Sequence, residues 1–164
     1  MNYIEQIKSS IKSIQDFPKP GIIFKDIQPL LENPYLFPHT IYSMSKLVKI
    51  PDYYIGIESR GFIFATALAT YMKCGIKLIR KQNKLPPPTL LISYHLEYGT
   101  DILEIQPGVG TVVIVDDVYA TGGTMEAATE LCQKAGYNVI GKITLIDLTS
   151  LHGPTDTKSL IQYE

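Results

Sequence analysis

Short runs of β-branched and apolar residues alternate along this chain with stretches whose apolar residues recur at helical spacing. Ile4, Ile7, Ile11 and Ile14, separated by Lys, Glu, Gln and Ser, form the stripe of one amphipathic helix. Asp16 to Leu31 reads DFPKPGIIFKDIQPLL, which its prolines and glycine break into short extended pieces and turns. Within it, Ile22-Ile23-Phe24 reads from composition as a buried edge strand. Asn33-Pro34 is an N-cap followed by a first-turn proline, and Ile41, Met44, Leu47 and Val48 supply the apolar face of the helix that follows. Pro51 closes that helix, and Tyr53 to Ile57 is a strand. Phe62 to Tyr71 is apolar almost all round, as a buried helix is. Gly75 ends it, and Ile76 to Ile79 is the next strand. Thr89 to Glu104 alternates as a hairpin with Gly99 in the turn region. Val112 to Val115 is a buried strand. Met125, Ala128, Leu131, Cys132 and Ala135 then mark a helix with Gly136 as its C-cap, and Val139 to Leu148 is a further strand.

Composition narrows the class. The chain has 164 residues, 45% of them hydrophobic and 19% charged, enough to bury the core of one compact domain spanning 1–164. A net charge of −1 provides no electrostatic case for nucleic acid or an anionic membrane as partner. No apolar run reaches the roughly 18 residues of a membrane span, and the N-terminus lacks a signal-peptide layout. Cys74 and Cys132 sit in apolar helical contexts, which suits reduced core cysteines. The expectation is a cytoplasmic protein. His39, His95 and His152 share no metal-ligand spacing, so no metal site is expected in the protein itself.

The chemistry concentrates in Val112 to Thr124, VVIVDDVYATGGT. A buried strand delivers Asp116 and Asp117 to its C-terminal end, and the loop Ala120-Thr121-Gly122-Gly123-Thr124 hands the chain to a helix. Free N–H groups and the positive end of the dipole at a helix start cradle a phosphate. Gly122 and Gly123 allow close backbone approach, and Thr121 and Thr124 add hydroxyls. Two carboxylates beside that cradle can accept from adjacent hydroxyls, and a ribose 5-phosphate carries both a phosphate and a 2,3-diol. Successive strand residues face opposite ways, so both aspartates reach one ligand only if the strand has already ended there. The triphosphate-binding P-loop and GxGxxG are both absent.

VVIVDDVYATGGT resembles the phosphoribosyl-diphosphate signature of the type I phosphoribosyltransferases. DFPKPGIIFKDI, SRGF at Ser59 to Phe62 and LEYG at Leu96 to Gly99 are similar to motifs of the adenine-using members, in the same order. The resemblance implies an α/β fold: a central, mainly parallel sheet flanked by helices, with a small hood from 16–31 and about 158–164. Residues 80–104 would form a flexible loop and hairpin. Phe24 would stack on adenine, while the Ile23 carbonyl and the Lys25 N–H read its edge. Ser59, Arg60 and Gly61 would hold the diphosphate, with a cis peptide bond between Glu58 and Ser59. Arg80, Lys81 and Lys84, in RKQNKLPPP, would join them, reaching a neighbouring subunit in a homodimer. Pro87 stands where the family often has glycine, and Lys25 where it often has arginine. Glu97 would be the catalytic residue, managing a purine proton or stabilising the cationic sugar.

The implied reaction joins adenine to 5-phosphoribosyl 1-diphosphate, giving AMP and diphosphate, with Mg²⁺ bound mainly through substrate. Two alternatives stand beside it: the same chemistry on another purine, or a regulator of this fold that binds nucleotide without turnover.

Overall fold

The computed structural model describes residues 2–96 and 99–164. The chain divides into two compact units, Met1–Ser43 and Met44–Glu164.

In the first unit, α1 (Tyr3–Ser10) opens with a capping box: Asn2 Oδ1 accepts from the Glu5 N–H at 2.9 Å, and Glu5 Oε2 accepts from the Asn2 N–H at 2.8 Å. The helix is shorter than its isoleucine spacing suggests. It stops at Ser10, whose Oγ donates to the Ile7 carbonyl at 2.7 Å, and Ile11 is already extended. Ile14 therefore lies in a strand, β1 (Lys12–Gln15), paired antiparallel to β2 (Ile23–Asp26). Cross-strand pairing outcompeted the helical period, because Ser9 and Ser10 add little helix propensity to hold it. The short α2 (Gln28–Leu31) follows. Asn33 Oδ1 accepts from the Tyr35 and Leu36 N–H groups at 3.0 and 2.9 Å, ahead of α3 (Leu36–Ser45). Leu47 and Val48 lie beyond that helix.

The second unit is built on a seven-stranded sheet. Its strands are β3 (Tyr53–Ile57), β4 (Gly75–Lys81), β5 (Leu90–Leu96), β6 (Gly99–Ile105), β7 (Thr111–Tyr119), β8 (Asn138–Leu148) and β9 (Lys158–Tyr163). The order is β5-β6-β4-β3-β7-β8-β9. Strands β4, β3, β7, β8 and β9 run parallel, and the hairpin β5–β6 adds antiparallel to the β4 edge. The expected α/β class holds. The segment 158–164 contains β9, an edge strand of this sheet hydrogen-bonded to β8. Its alternating side chains find an unpaired parallel edge there.

Two helices cover the sheet. Strand alternation sends Gly56 toward α4 (Gly61–Met72), where an added Cβ would meet the Ala65 side chain at 3.0 Å. It sends Ile55 and Ile57 into the core shared with Met125, Ala128, Leu131 and Cys132 of α5 (Gly123–Lys134), on the other face. Lys73 takes the left-handed conformation at the end of α4, the role assigned to Gly75, which instead begins β4 against the Tyr53 ring.

Connectivity locates the ligand edge. From β3 the chain crosses through α4 to β4 on one side; from β7 it crosses through α5 to β8 on the other. The crossovers diverge between β3 and β7, and at such a switch point ligands bind beyond the carboxyl ends of the strands.

Candidate active site

Strand β7 carries the acid pair, but it does not end at that pair. It runs on through Tyr119, paired to β8 at Val118↔Ile146 and Tyr119↔Asp147. On its other side, pairing to β3 ceases at Val115. Beyond that residue β7 has one bonded edge, and the opened side receives the start of α4. Both carboxylates come close to this helix start. Arg60 Nε lies 2.8 Å from Asp117 Oδ2, and a Cβ on Gly61 would stand 3.1 Å from Asp116 Oδ1. Asp116 Oδ1 also accepts from the Asp117 N–H at 2.9 Å. The two aspartates thus serve one place despite the strand continuing, because the neighbouring helix start reaches both.

Electrostatics separates the pair. Asp117 is 5% exposed, while Asp116 keeps a partly open face. Burial, joined by the neighbouring Asp117 charge, raises the Asp116 pKa well above the ordinary carboxylate value. Asp117 Oδ2 is buried beside the Arg60 guanidinium, yet it takes no in-line hydrogen bond from a described residue. A diol could satisfy that oxygen.

The loop Ala120 to Thr124 leads into α5. Gly122 is left-handed (φ +93°), and the first helical bond runs from the Glu126 N–H to its carbonyl at 2.9 Å. The first-turn N–H groups have no carbonyl one turn behind them, so they are the donors a phosphate needs. Thr121 is exposed, and Ala120, Gly123 and Thr124 are partly so. Gly123 faces the end of β5: a Cβ there would lie 3.6 Å from the His95 carbonyl.

The basic residues divide. Arg80 and Lys81 end β4 and pair across to β6 (Arg80↔Glu104, Lys81↔Leu103), so they belong to the sheet and not to the expected loop. Arg80 grips Glu58, Nε to Oε2 at 3.2 Å and Nη2 to Oε1 at 3.4 Å, and donates to the Lys84 carbonyl at 3.2 Å. Glu58 Oε2 also accepts from the Lys81 N–H at 2.9 Å. Burial works against the Glu58 carboxylate, but that N–H and the Arg80 guanidinium outweigh it and hold its pKa below the ordinary value. Arg80 is thereby tied to the residue preceding Ser59-Arg60-Gly61, and the Glu58–Ser59 peptide is cis, as the resemblance implied. The Lys81 side chain is drawn elsewhere, into an ion pair with Asp101 on β6. Glu104, 3% exposed, accepts from the Lys84 and Leu85 N–H groups at 2.6 Å each and fastens the base of the following loop.

Ile23, Phe24 and Lys25 lie on β2 in the first unit. The Ile22 carbonyl accepts from the Phe17 N–H at 3.3 Å, toward the β1 side. Alternation then turns the Ile23 carbonyl and the Lys25 N–H together to the edge away from β1. Phe17 packs edge-on against the Phe24 ring, centroids 5.2 Å apart. The Lys25 ammonium donates to Ser13 Oγ at 2.8 Å, and its pKa is lowered by burial and then by Lys8. Glu97 lies outside the described residues. Sequence reasoning missed Glu58, Asp101 and Glu104; only the place of Glu58 beside SRGF offered a signal.

Residues 44–160 match the phosphoribosyl transferase domain family. The adenine phosphoribosyltransferase of Bdellovibrio bacteriovorus is 52% identical over 163 residues, covering 96% of this chain and 99% of that one. The crystal structure of the Thermoanaerobacter pseudethanolicus adenine phosphoribosyltransferase superposes with a TM-score of 0.90 at 42% identity, covering 98% and 99% of the two chains. The Saccharomyces cerevisiae enzyme, complexed with adenine and an imino-altritol bisphosphate, gives 0.88 at 34% identity over 97% and 98%. The chain belongs to the phosphoribosyltransferase family, and within it to the adenine phosphoribosyltransferases. No helix among the described residues is long and apolar enough to cross a membrane.

Proposed function

We propose that this protein transfers the 5-phosphoribosyl group from phosphoribosyl diphosphate to adenine, forming AMP and diphosphate in purine salvage. The observation that carries the reading is the convergence of Asp116 and Asp117 on the Arg60–Gly61 helix start, next to the loop that opens α5. The Saccharomyces relative was solved with adenine, which supports the choice of base.

Ala120, Thr121, Gly122, Gly123 and Thr124 receive the 5-phosphate, and Asp116 and Asp117 hold the ribose diol. Ser59, Arg60 and Gly61 face the diphosphate, with Arg80, Lys81 and Lys84 assigned to the same charge. Phe24 stacks on the base, and the Ile23 carbonyl and Lys25 N–H read its edge. Bond breaking builds positive charge on the sugar and negative charge on the leaving group, so catalysis is mainly electrostatic. The aspartates answer the first charge and the cations the second. Glu97 is assigned the purine proton or the sugar cation on the strength of LEYG alone. The carboxylate oxygens beside the diphosphate residues fit a hard cation, which phosphates and water mainly hold. Bound Mg²⁺ supplies charge neutralisation of the diphosphate.

The homodimer is part of the same proposal. Exposed Ile63 and Tyr71 on α4, with Ile76 and Leu78 on β4, supply apolar surface for a second copy. Two free cysteines suit a reducing cytoplasm.

The test is AMP formation by purified protein from adenine, phosphoribosyl diphosphate and Mg²⁺, with hypoxanthine, guanine and xanthine as competitors. Turnover of adenine alone is the expected result. Preference for a 6-oxopurine, or binding without turnover, overturns the reading.

A further inference from the structure

His152 is absent from the machinery above, yet it is held more tightly than a surface histidine need be. Its Nε2 lies 2.6 Å from Asp147 Oδ1 on β8, and its Nδ1 lies 2.6 Å from the Gly153 carbonyl oxygen. Both partners only accept, so the ring satisfies both when doubly protonated. The hydrogen bond His152 donates to Asp147, then the one it donates to the Gly153 carbonyl, raises its pKa, as this arrangement requires.

The clamped ring has a neighbour of consequence. It meets the Tyr119 ring edge to face, centroids 4.6 Å apart at 90°. Tyr119 is the last residue of β7, and its hydroxyl reaches beneath the loop: a Cβ on Gly122 would stand 2.5 Å from that oxygen. The contacts run from Asp147 through His152 and Tyr119 to Gly122, the residue whose carbonyl takes the first bond of α5. The tyrosine also lines a cavity of about 390 Å³ with Met125, Glu126, Lys142, Asp156 and Thr157. Without the brace, the ring has space to leave the loop.

We propose that His152 and Tyr119 are positioning residues for the sugar phosphate: the clamped imidazolium holds the tyrosine ring beneath Gly122 and so fixes the loop Ala120 to Thr124 for the 5-phosphate. The proposal rests on the transferase reading above. The brace touches the phosphate loop, so its loss raises the KM for phosphoribosyl diphosphate and spares the KM for adenine.

The test is steady-state kinetics with both substrates varied, on wild type, His152→Ala, Tyr119→Ala, the double variant and Tyr119→Phe. His152→Ala and Tyr119→Ala each raise the KM for phosphoribosyl diphosphate about tenfold, within the range a misplaced binding group costs. The adenine KM moves less than about twofold. The double variant is no worse than either single one, since both break one connection. Tyr119→Phe, which keeps the ring, restores most of the affinity. Titration of each variant with ribose 5-phosphate by calorimetry reports the same order and covers any variant too poor in turnover. Equal rises in both KM values, additive effects, or unchanged sugar-phosphate affinity in the alanine variants overturns the proposal. Absence of turnover in wild type with ribose 5-phosphate affinity still lost in His152→Ala sinks the transferase reading alone.

Discussion

Replacing Gly61 by alanine tests whether the close seating of α4 on β7 builds the site. The added methyl carbon would stand 2.6 Å from the Val115 carbonyl oxygen, 3.2 Å from Asp116 Cα and 3.1 Å from Asp116 Oδ1. Carbon meets a carbonyl oxygen at about 3.3 Å, so the first contact is about 0.7 Å too short. Two of the three atoms are main chain in a paired strand and cannot rotate away, so the helix start must lift. Such overpacking costs about 1–3 kcal/mol. At roughly 4 °C per kcal/mol for a chain of this size, the melting temperature falls by about 4–12 °C. Lifting the helix start also carries Arg60 away from Asp117, now 2.8 Å distant. Calorimetric melting and kcat/KM for phosphoribosyl diphosphate are the assays. The expected result is a lower melting temperature with kcat/KM reduced at least tenfold. A Gly61→Ala protein that melts with wild type and retains its kcat/KM would falsify the packing account.

Three further outcomes follow from the same geometry. Phe24→Ala raises the adenine KM by about tenfold, the loss of one aromatic stack on a base, and changes the sugar-substrate KM less; equal effects on both would reassign the residue. Glu104→Ala strips the acceptor from the Lys84 and Leu85 N–H groups and costs about 2–4 kcal/mol. Limited proteolysis should then cut near 82–89 sooner than in wild type, and Glu104→Gln should recover much of the protection. His152 binds its proton more tightly folded than unfolded, so its contribution to stability is complete below the ordinary value of 6.5 and is lost as pH rises through its raised pKa. The melting-temperature gap between wild type and His152→Gln should therefore be widest near pH 5.5 and narrow toward pH 9; a constant gap contradicts the clamp.

The legible parts of the site were local. Val112 to Thr124 announces a strand, an acid pair and a glycine loop within thirteen consecutive residues, and the structure keeps them in that order. The Glu58–Arg80 and Lys81–Asp101 pairs were not legible. Their members are 22 and 20 residues apart, and their meeting depends on β4 continuing to Lys81. The isoleucine stripe misled for a related reason: Ile14 fits the helical period, but pairing with Phe24 on β2 took it into a strand.

Hydrophobic periodicity and turn chemistry sufficed for the alternation of strands and helices, and for the stretch able to hold a sugar phosphate. Those features arise between near neighbours, where backbone geometry leaves few choices. Which strands lie side by side, where pairing stops, and which acid meets which cation were decided by the folded sheet. The β7 edge opens after Val115 because β3 ends there, and that vacancy lets one helix start reach both aspartates. No stretch of β7 read alone contains that fact, since it depends on the length of a strand more than fifty residues earlier.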